Sequence, residues 1–151
     1  MAMHFTRIMK IDIYCDGASR GNPGKSSFGV IGLERGANAD LAQFKIGALQ
    51  PIFTLSESIG HATNNEAEYR GIISALKKCV ELKIQTPIIY SDSELVVRQL
   101  TGVYKVKEAK MKGLFILAME LVKQVHPQFI HIRREKNQIA DYLANQALDN
   151  A

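Results

Sequence analysis

The chain has 151 residues, 46% of them apolar and 7% aromatic, with no Trp and a formal charge of +4. That length suits one domain with helices packed on a sheet, and the mild positive charge permits a polyanionic partner without requiring one. No window is apolar enough to span a membrane and the first ten residues lack the apolar core of a signal peptide, so a cytoplasmic setting is expected. Cys15 and Cys79 read as reduced, buried thiols rather than as a disulfide framework.

Residues 1–9 carry little pattern and are expected to form a flexible N-terminal extension to a single domain over 10–151. A first strand is predicted over Lys10–Cys15, running into a turn rich in Gly, Asn and Pro that ends at Gly24. A second strand follows over Ser26–Leu33, and the polar stretch Glu34–Asp40 reads as a hairpin connection. Leu41–Ala62 reads as a third strand, with Gly47 and Pro51 marking a bulge or a break.

The period then changes. From Asn65 to Lys83 the apolar residues Tyr69, Ile72, Ile73, Ala75, Leu76, Cys79, Val80 and Leu82 recur at helical spacing. Ile88–Tyr90 is a short buried strand, Ser93–Leu100 a short helix, and Glu108–Val125 a longer one with Leu114, Leu117, Leu121 and Val125 as its stripe. Phe129–Ile132 is the last strand and Ile139–Leu148 the last helix. This order predicts an α/β fold: a five-stranded mixed sheet, built from a three-strand antiparallel meander plus two further strands, with helices on its faces.

Four carboxylates fall at the ends or starts of these elements. Asp16 closes the first strand; an Asp before a Gly turn is ordinarily a turn residue. Glu66 and Glu68 open one helix about 200° apart. Thr63-Asn64-Asn65-Glu66 is a capping box, which gives Glu66 a structural role. Glu68 instead heads the buried line of Ile72, Ala75 and Cys79, where a charge needs a partner. Asp92 follows a buried strand and precedes a helix, so it is either an N-cap or a ligand at the open end of a sheet. Asp141 lies one turn into the last helix, where the dipole favours an acid, with Asn137 as the expected cap. Carboxylates gathered in one place raise one another's pKa, and Mg²⁺ relieves the repulsion with a few carboxylates plus water and phosphate. No Cys/His spacing suggests zinc and no phosphate-cradling Gly-Lys-Ser/Thr loop is present.

With these motifs in place, Asp16-Gly-Ala-Ser-Arg-Gly-Asn-Pro-Gly24, Thr63-Asn-Asn-Glu-Ala-Glu68, Ser91-Asp-Ser93 and the approach Asn137–Asp141, the chain resembles ribonuclease H type 1 from Lys10 to Ala147. The resemblance implies a ribonuclease H-like fold. It also implies endonucleolytic hydrolysis of the RNA strand of RNA/DNA hybrids, leaving 5′-phosphate and 3′-hydroxyl ends. By the same resemblance Asp16, Glu68, Asp92 and Asp141 are both the catalytic residues and the ligands of two Mg²⁺ ions, with Mn²⁺ as a substitute. Asn22, Asn64 and Asn65 match positions that bind the substrate backbone, and amides suit a ribose 2′-hydroxyl because they both donate and accept. Arg20 and Ser93 join the expected substrate contacts, with Lys25, Lys105, Lys107 and Lys110 as candidate phosphate contacts. The expected partner is the hybrid, met by a monomer.

The chain departs from the family pattern in three places. The loop Arg133–Gln138 carries no His, so Glu135 is its only base and a weak metal tether, while His131 is expected to be a strand residue. Glu94 stands where many members have Gln, and Gly102–Lys112 is too short for a basic protrusion. The competing expectation is a hybrid-binding module of the same fold with little or no catalysis.

Overall fold

The computed structural model describes residues 9–151; the extension expected over residues 1–9 lies outside them except for Met9, which is exposed. The elements are β1 (Ile11–Arg20), β2 (Gly24–Glu34), α1 (Leu41–Lys45), β3 (Phe53–Ala62), α2 (Asn64–Leu82), β4 (Ile88–Ser91), α3 (Glu94–Leu100), α4 (Ala109–Val125), β5 (Gln128–His131) and α5 (Gln138–Asp149), with a 3-10 turn at Arg134–Lys136 before α5. The strands lie in the order β3-β2-β1-β4-β5. The first three form an antiparallel meander, and β4 and β5 add parallel to β1. The predicted mixed sheet with helices on both faces is therefore present.

Alternation along β1 divides its residues between two cores. Ile11, Ile13 and Cys15 are fully buried with Tyr69, Ile72, Leu76 and Cys79 of α2 and with Ala118 and Val125 of α4. Tyr14 faces the other way, into a smaller cluster of Ile31, Leu33, Ile139 and Leu143 under α5. The two cysteines are free and buried, as the composition implies. Burial pushes both thiols up, Cys79 to about 12.

Three expectations are corrected. First, β1 does not end at Cys15: it continues to Arg20 because β2 pairs with all of it, from Ile11 opposite Glu34 to Arg20 opposite Lys25. Second, Leu41–Ala62 is not one strand. Asp40 caps α1, its carboxylate accepting from the Gln43 amide at 2.9 Å, and only Phe53–Ala62 pairs with β2. Phe44 of α1 meets Tyr142 of α5 edge-on at 6.2 Å, so the segment covers the smaller core. Third, Leu117 is not in the stripe of α4. It is 42% exposed, whereas Met111, Ala118 and Val125 are buried with Leu114, Leu121 and Val122 packed beside them. Those positions repeat every three or four residues, and Leu117 falls beside the line.

Candidate active site

The site follows from unequal strand lengths. β1 and β2 run for 10 and 11 residues, but β4 has only four. The parallel pairing of β1 with β4 stops at Cys15 opposite Ser91. Beyond that point β1 has a partner on the β2 side alone, so a crevice opens beside Asp16. Such crevices, at the carboxyl ends of strands, are where open α/β sheets take ligands.

Asp16, Glu68 and Asp92 meet there, each offering a carboxylate oxygen within 4.8 Å of the other two. Asp16 arrives on β1 and is 5% exposed. Glu68 reaches in from the first turns of α2 and is 3% exposed. Its position depends on Gly17: a Cβ there would overlap the Glu68 amide nitrogen and the Ala67 carbonyl, so only glycine lets the helix backbone touch the strand. Asp92 hangs from the turn after β4. The alternative role as N-cap fails, because the Ser93 hydroxyl caps α3 by accepting from Val96 N at 3.3 Å. Asp92 is thereby left to face the crevice.

Asp141 comes from α5 and lines the same crevice, outside the close trio. Its carboxylate accepts from Asn145 Nδ2 at 3.2 Å. Gly29 of β2 sets its place as Gly17 sets that of Glu68, since a Cβ at Gly29 would overlap the Ala140 carbonyl and Ala144 nitrogen of α5. Ser27 and Ser56 clamp the same helix, donating to Ala144 O at 2.5 Å and Leu143 O at 2.6 Å. Asn137 does not cap α5 with its side chain. It is 1% exposed and donates from Nδ2 to the Cys15 carbonyl at 2.8 Å, tying the start of α5 to the residue before Asp16.

The electrostatics are those of a cation site. Burial, then the charges of Glu68 and Asp92, push Asp16 up to about 10. Burial and Asp92 push Glu68 up to about 8, against the Gly17 amide, the Asp16 hydroxyl and Arg134, which favour its ionised form. Both carboxyls therefore keep their protons to higher pH than exposed acids do, chiefly because burial disfavours the charged form. Glu68 Oε2 and Asp92 Oδ2 are buried without any hydrogen-bond partner. Two orphaned carboxylate oxygens aimed into one polar crevice are costly unless a cation meets them, so the residues fit a divalent metal.

Of the expected substrate residues, Asn64 and Ser93 line the crevice. Asn22 is joined to it, its Oδ1 accepting from Asn64 N at 3.0 Å. Asn65 stands one residue further along α2, outside the lining. Glu66 completes the capping box with Thr63, as expected, and also pairs with Lys110 at 3.3 Å. Arg20 is bound to Asp149 of α5, and Glu94 pairs with Arg98 at 2.9 Å, which offsets its charge. Lys25, Lys105 and Lys107 are exposed and lie off the crevice lining. His131 is an exposed β5 residue paired opposite Ser91.

Glu135 is corrected: it lines a separate groove with Tyr14, Tyr90 and Lys136 on the sheet face. Arg134, its neighbour, lines the carboxylate crevice instead. Arg134 and Asn145 escape a reading of the sequence. Only the i, i+4 spacing of Asp141 and Asn145 could have flagged the second.

A family profile described as reverse transcriptase-like matches residues 14–147. Several of the solved neighbours are ribonuclease H proteins. The chain superposes on the RNase H1 of Halobacterium salinarum with a TM-score of 0.82 and 32% identity, covering 94% of this chain and 99% of that one. It superposes on LC11-RNase H1, solved in complex with RNA/DNA hybrid, with a TM-score of 0.81 and 37% identity, covering 93% and 98%. In sequence it is 38% identical over 144 residues to the bifunctional protein Rv2228c of Mycobacterium tuberculosis, covering 95% of this chain but 36% of that protein. It is 35% identical over 143 residues to the ribonuclease HI of H. salinarum, covering 94% of this chain and 66% of that one. The chain thus spans about a third of the mycobacterial relative and about two thirds of the archaeal one. It belongs to the ribonuclease H type 1 family. Among the described residues no helix is long and apolar enough to cross a membrane.

Proposed function

We propose that the chain hydrolyses the RNA strand of RNA/DNA hybrids, cutting internally to leave 5′-phosphate and 3′-hydroxyl ends. The observation that carries this is the trio Asp16, Glu68 and Asp92, with two buried, unpartnered carboxylate oxygens facing an open crevice. Family membership and the hybrid-bound structure of LC11-RNase H1 support the same substrate. Asp16, Glu68 and Asp92, with Asp141 opposite, would hold two divalent ions, Mg²⁺ by the hardness of the oxygen donors, with Mn²⁺ as a substitute. When bound, such ions supply Lewis acidity, easing ionisation of water and stabilising charge on the departing oxygen.

The chain's own groups prepare and aim this chemistry. Asp16 and Glu68, both held up by burial, would give up protons as cations enter, so loading is coupled to pH. The Gly17 amide, donating to Glu68, and the Asn145 amide, donating to Asp141, hold two carboxylates in fixed orientations. Arg134 supplies positive charge at the wall of the crevice where a phosphate would lie. Asn64 and Ser93, on the same lining, and Asn22 behind Asn64 offer donors and acceptors to the ribose backbone. The test is incubation of a strand-labelled hybrid with Mg²⁺ or Mn²⁺, with Asp16→Asn as control. Metal-dependent internal cuts in the RNA strand alone are expected. Tight hybrid binding without cuts would replace the enzyme reading by that of a binding module.

A further inference from the structure

Behind Asn22 and Asn64 lies a small polar core that is unusual for its depth. Ser26 is fully buried in β2, and its Oγ lies 3.0 Å from Ser19 Oγ, 2.9 Å from the Gly24 carbonyl and 2.9 Å from the Ala62 carbonyl. Ser19 is also hydrogen-bonded to the Gly21 carbonyl and lies 3.3 Å from Ala62 O. Two hydroxyl protons therefore lie among three carbonyls, each proton serving one acceptor at a time. The three carbonyls belong to the two segments that carry the asparagines. Gly21 and Gly24 flank the turn holding Asn22, and Ala62 immediately precedes the Thr63 cap of α2, whose first residue is Asn64. The β2–β3 register shifts between Ser26 and Ser27, leaving Ile59 as an extra residue where β3 bends toward this core.

We infer that Ser26, with Ser19, is a positioning residue for substrate: it fixes the β1–β2 turn against the start of α2, so that Asn22 and Asn64 present one rigid surface to the ribose–phosphate backbone. The inference rests on the proposed hybrid-cleaving activity and extends it to Ser26, which is fully buried off the crevice lining, acting with Ser19, which lines it. The hydrogen bond from Asn64 N to Asn22 Oδ1 closes the unit on its exposed side, and the two serines close it from within. Without the Ser26 hydroxyl the Ala62 and Gly24 carbonyls lose the buried donor they share, and the turn is free to move relative to α2. The carboxylate trio is anchored separately, by β1, Gly17 and the turn after β4. Loss of the serine core therefore acts on substrate binding rather than on the chemical step.

The test is steady-state cleavage of a labelled hybrid by the intact chain carrying Ser26→Ala, Asn22→Ala, or both. Melts first establish a temperature at which every variant is folded. Expected is a three- to tenfold rise in KM for Ser26→Ala with kcat within twofold of wild type, and no further rise when it is added to Asn22→Ala. An unchanged KM, or a rise of equal size in the Asn22→Ala background, would overturn the inference, since either result makes Ser26 independent of the asparagine unit. If Ser26→Ala fails to fold, Ser26→Cys, which fills the same space with a weaker donor, carries the same test. Wild-type protein that binds hybrid but cuts nothing would instead overturn the activity on which the inference rests.

Discussion

The buried carboxylates store a pH dependence that one substitution should reduce. Asp16 is held up to about 10 by burial and the charges of Glu68 and Asp92, and Glu68 up to about 8 by burial and Asp92. In the unfolded chain both ionise near ~4. Between those limits the folded state binds more protons than the unfolded state, so stability falls as pH rises. The full benefit of the protonated pair is present only below the unfolded pKa. Each proton retained on folding costs about 1.4 kcal/mol per pH unit, so the proton held on Asp16 alone costs about 2.7 kcal/mol between pH 5.5 and 7.5, and that on Glu68 adds to it. For a domain of this size the Asp16 share is a fall in Tm of roughly 5–11 °C. Asp16→Asn should remove that share, because an amide does not titrate. The variant should melt above wild type at pH 7.5 and close to it at pH 5.5. The assay is thermal melting in excess chelator across pH 5–8.5, repeated in Mg²⁺. Magnesium should raise the wild-type Tm more at pH 7.5 than at 5.5, and should raise that of the variant less. Parallel Tm–pH curves for wild type and Asp16→Asn in chelator would refute a proton held on Asp16.

Glu68→Gln should abolish metal-dependent cleavage, while Glu66→Gln should keep it and cost about 1 kcal/mol of stability by weakening the cap and the Lys110 pair, measured by denaturant titration. The reverse pattern would mean that α2 is rotated from the orientation described. Gly29→Ala forces α5 off β2 and should cost about 1–3 kcal/mol with a drop in kcat, because Asp141 moves with the helix; wild-type kcat would refute that coupling. Arg134→Ala should lower kcat/KM by about tenfold or more, equivalent to roughly 1.4 kcal/mol, whereas Glu135→Ala, in the neighbouring groove, should change it by less; single-turnover rates decide the order.

What the sequence discloses and what it hides divide along a physical line. Properties set by local period were legible: the buried face of α2 from Glu68 to Cys79, though Val80 and Leu82 beyond it are exposed, the capping box at Thr63, and the order of strands and helices apart from α1. Properties set by what lies alongside were not. β1 reads as ending at Cys15 because its apolar alternation ends there, yet β2 holds it extended for five more residues. Nothing local says that β4 stops at Ser91, and the crevice exists only because it does. α1 was hidden because five residues give too little helical period to outweigh the surrounding strand pattern, although Asp40 was available as a cap. Asn137 shows the same limit, since its sequence position suggests a cap and its burial against Cys15 shows a strut. The glycines are the most instructive case. In sequence, Gly17 belongs to a turn motif and Gly29 weakens a strand. In the structure each is the point where a helix backbone touches the sheet, and each of those helices carries one carboxylate into the crevice. The acids are thus placed less by their own side-chain preferences than by two missing methyl groups, one on either face of the sheet.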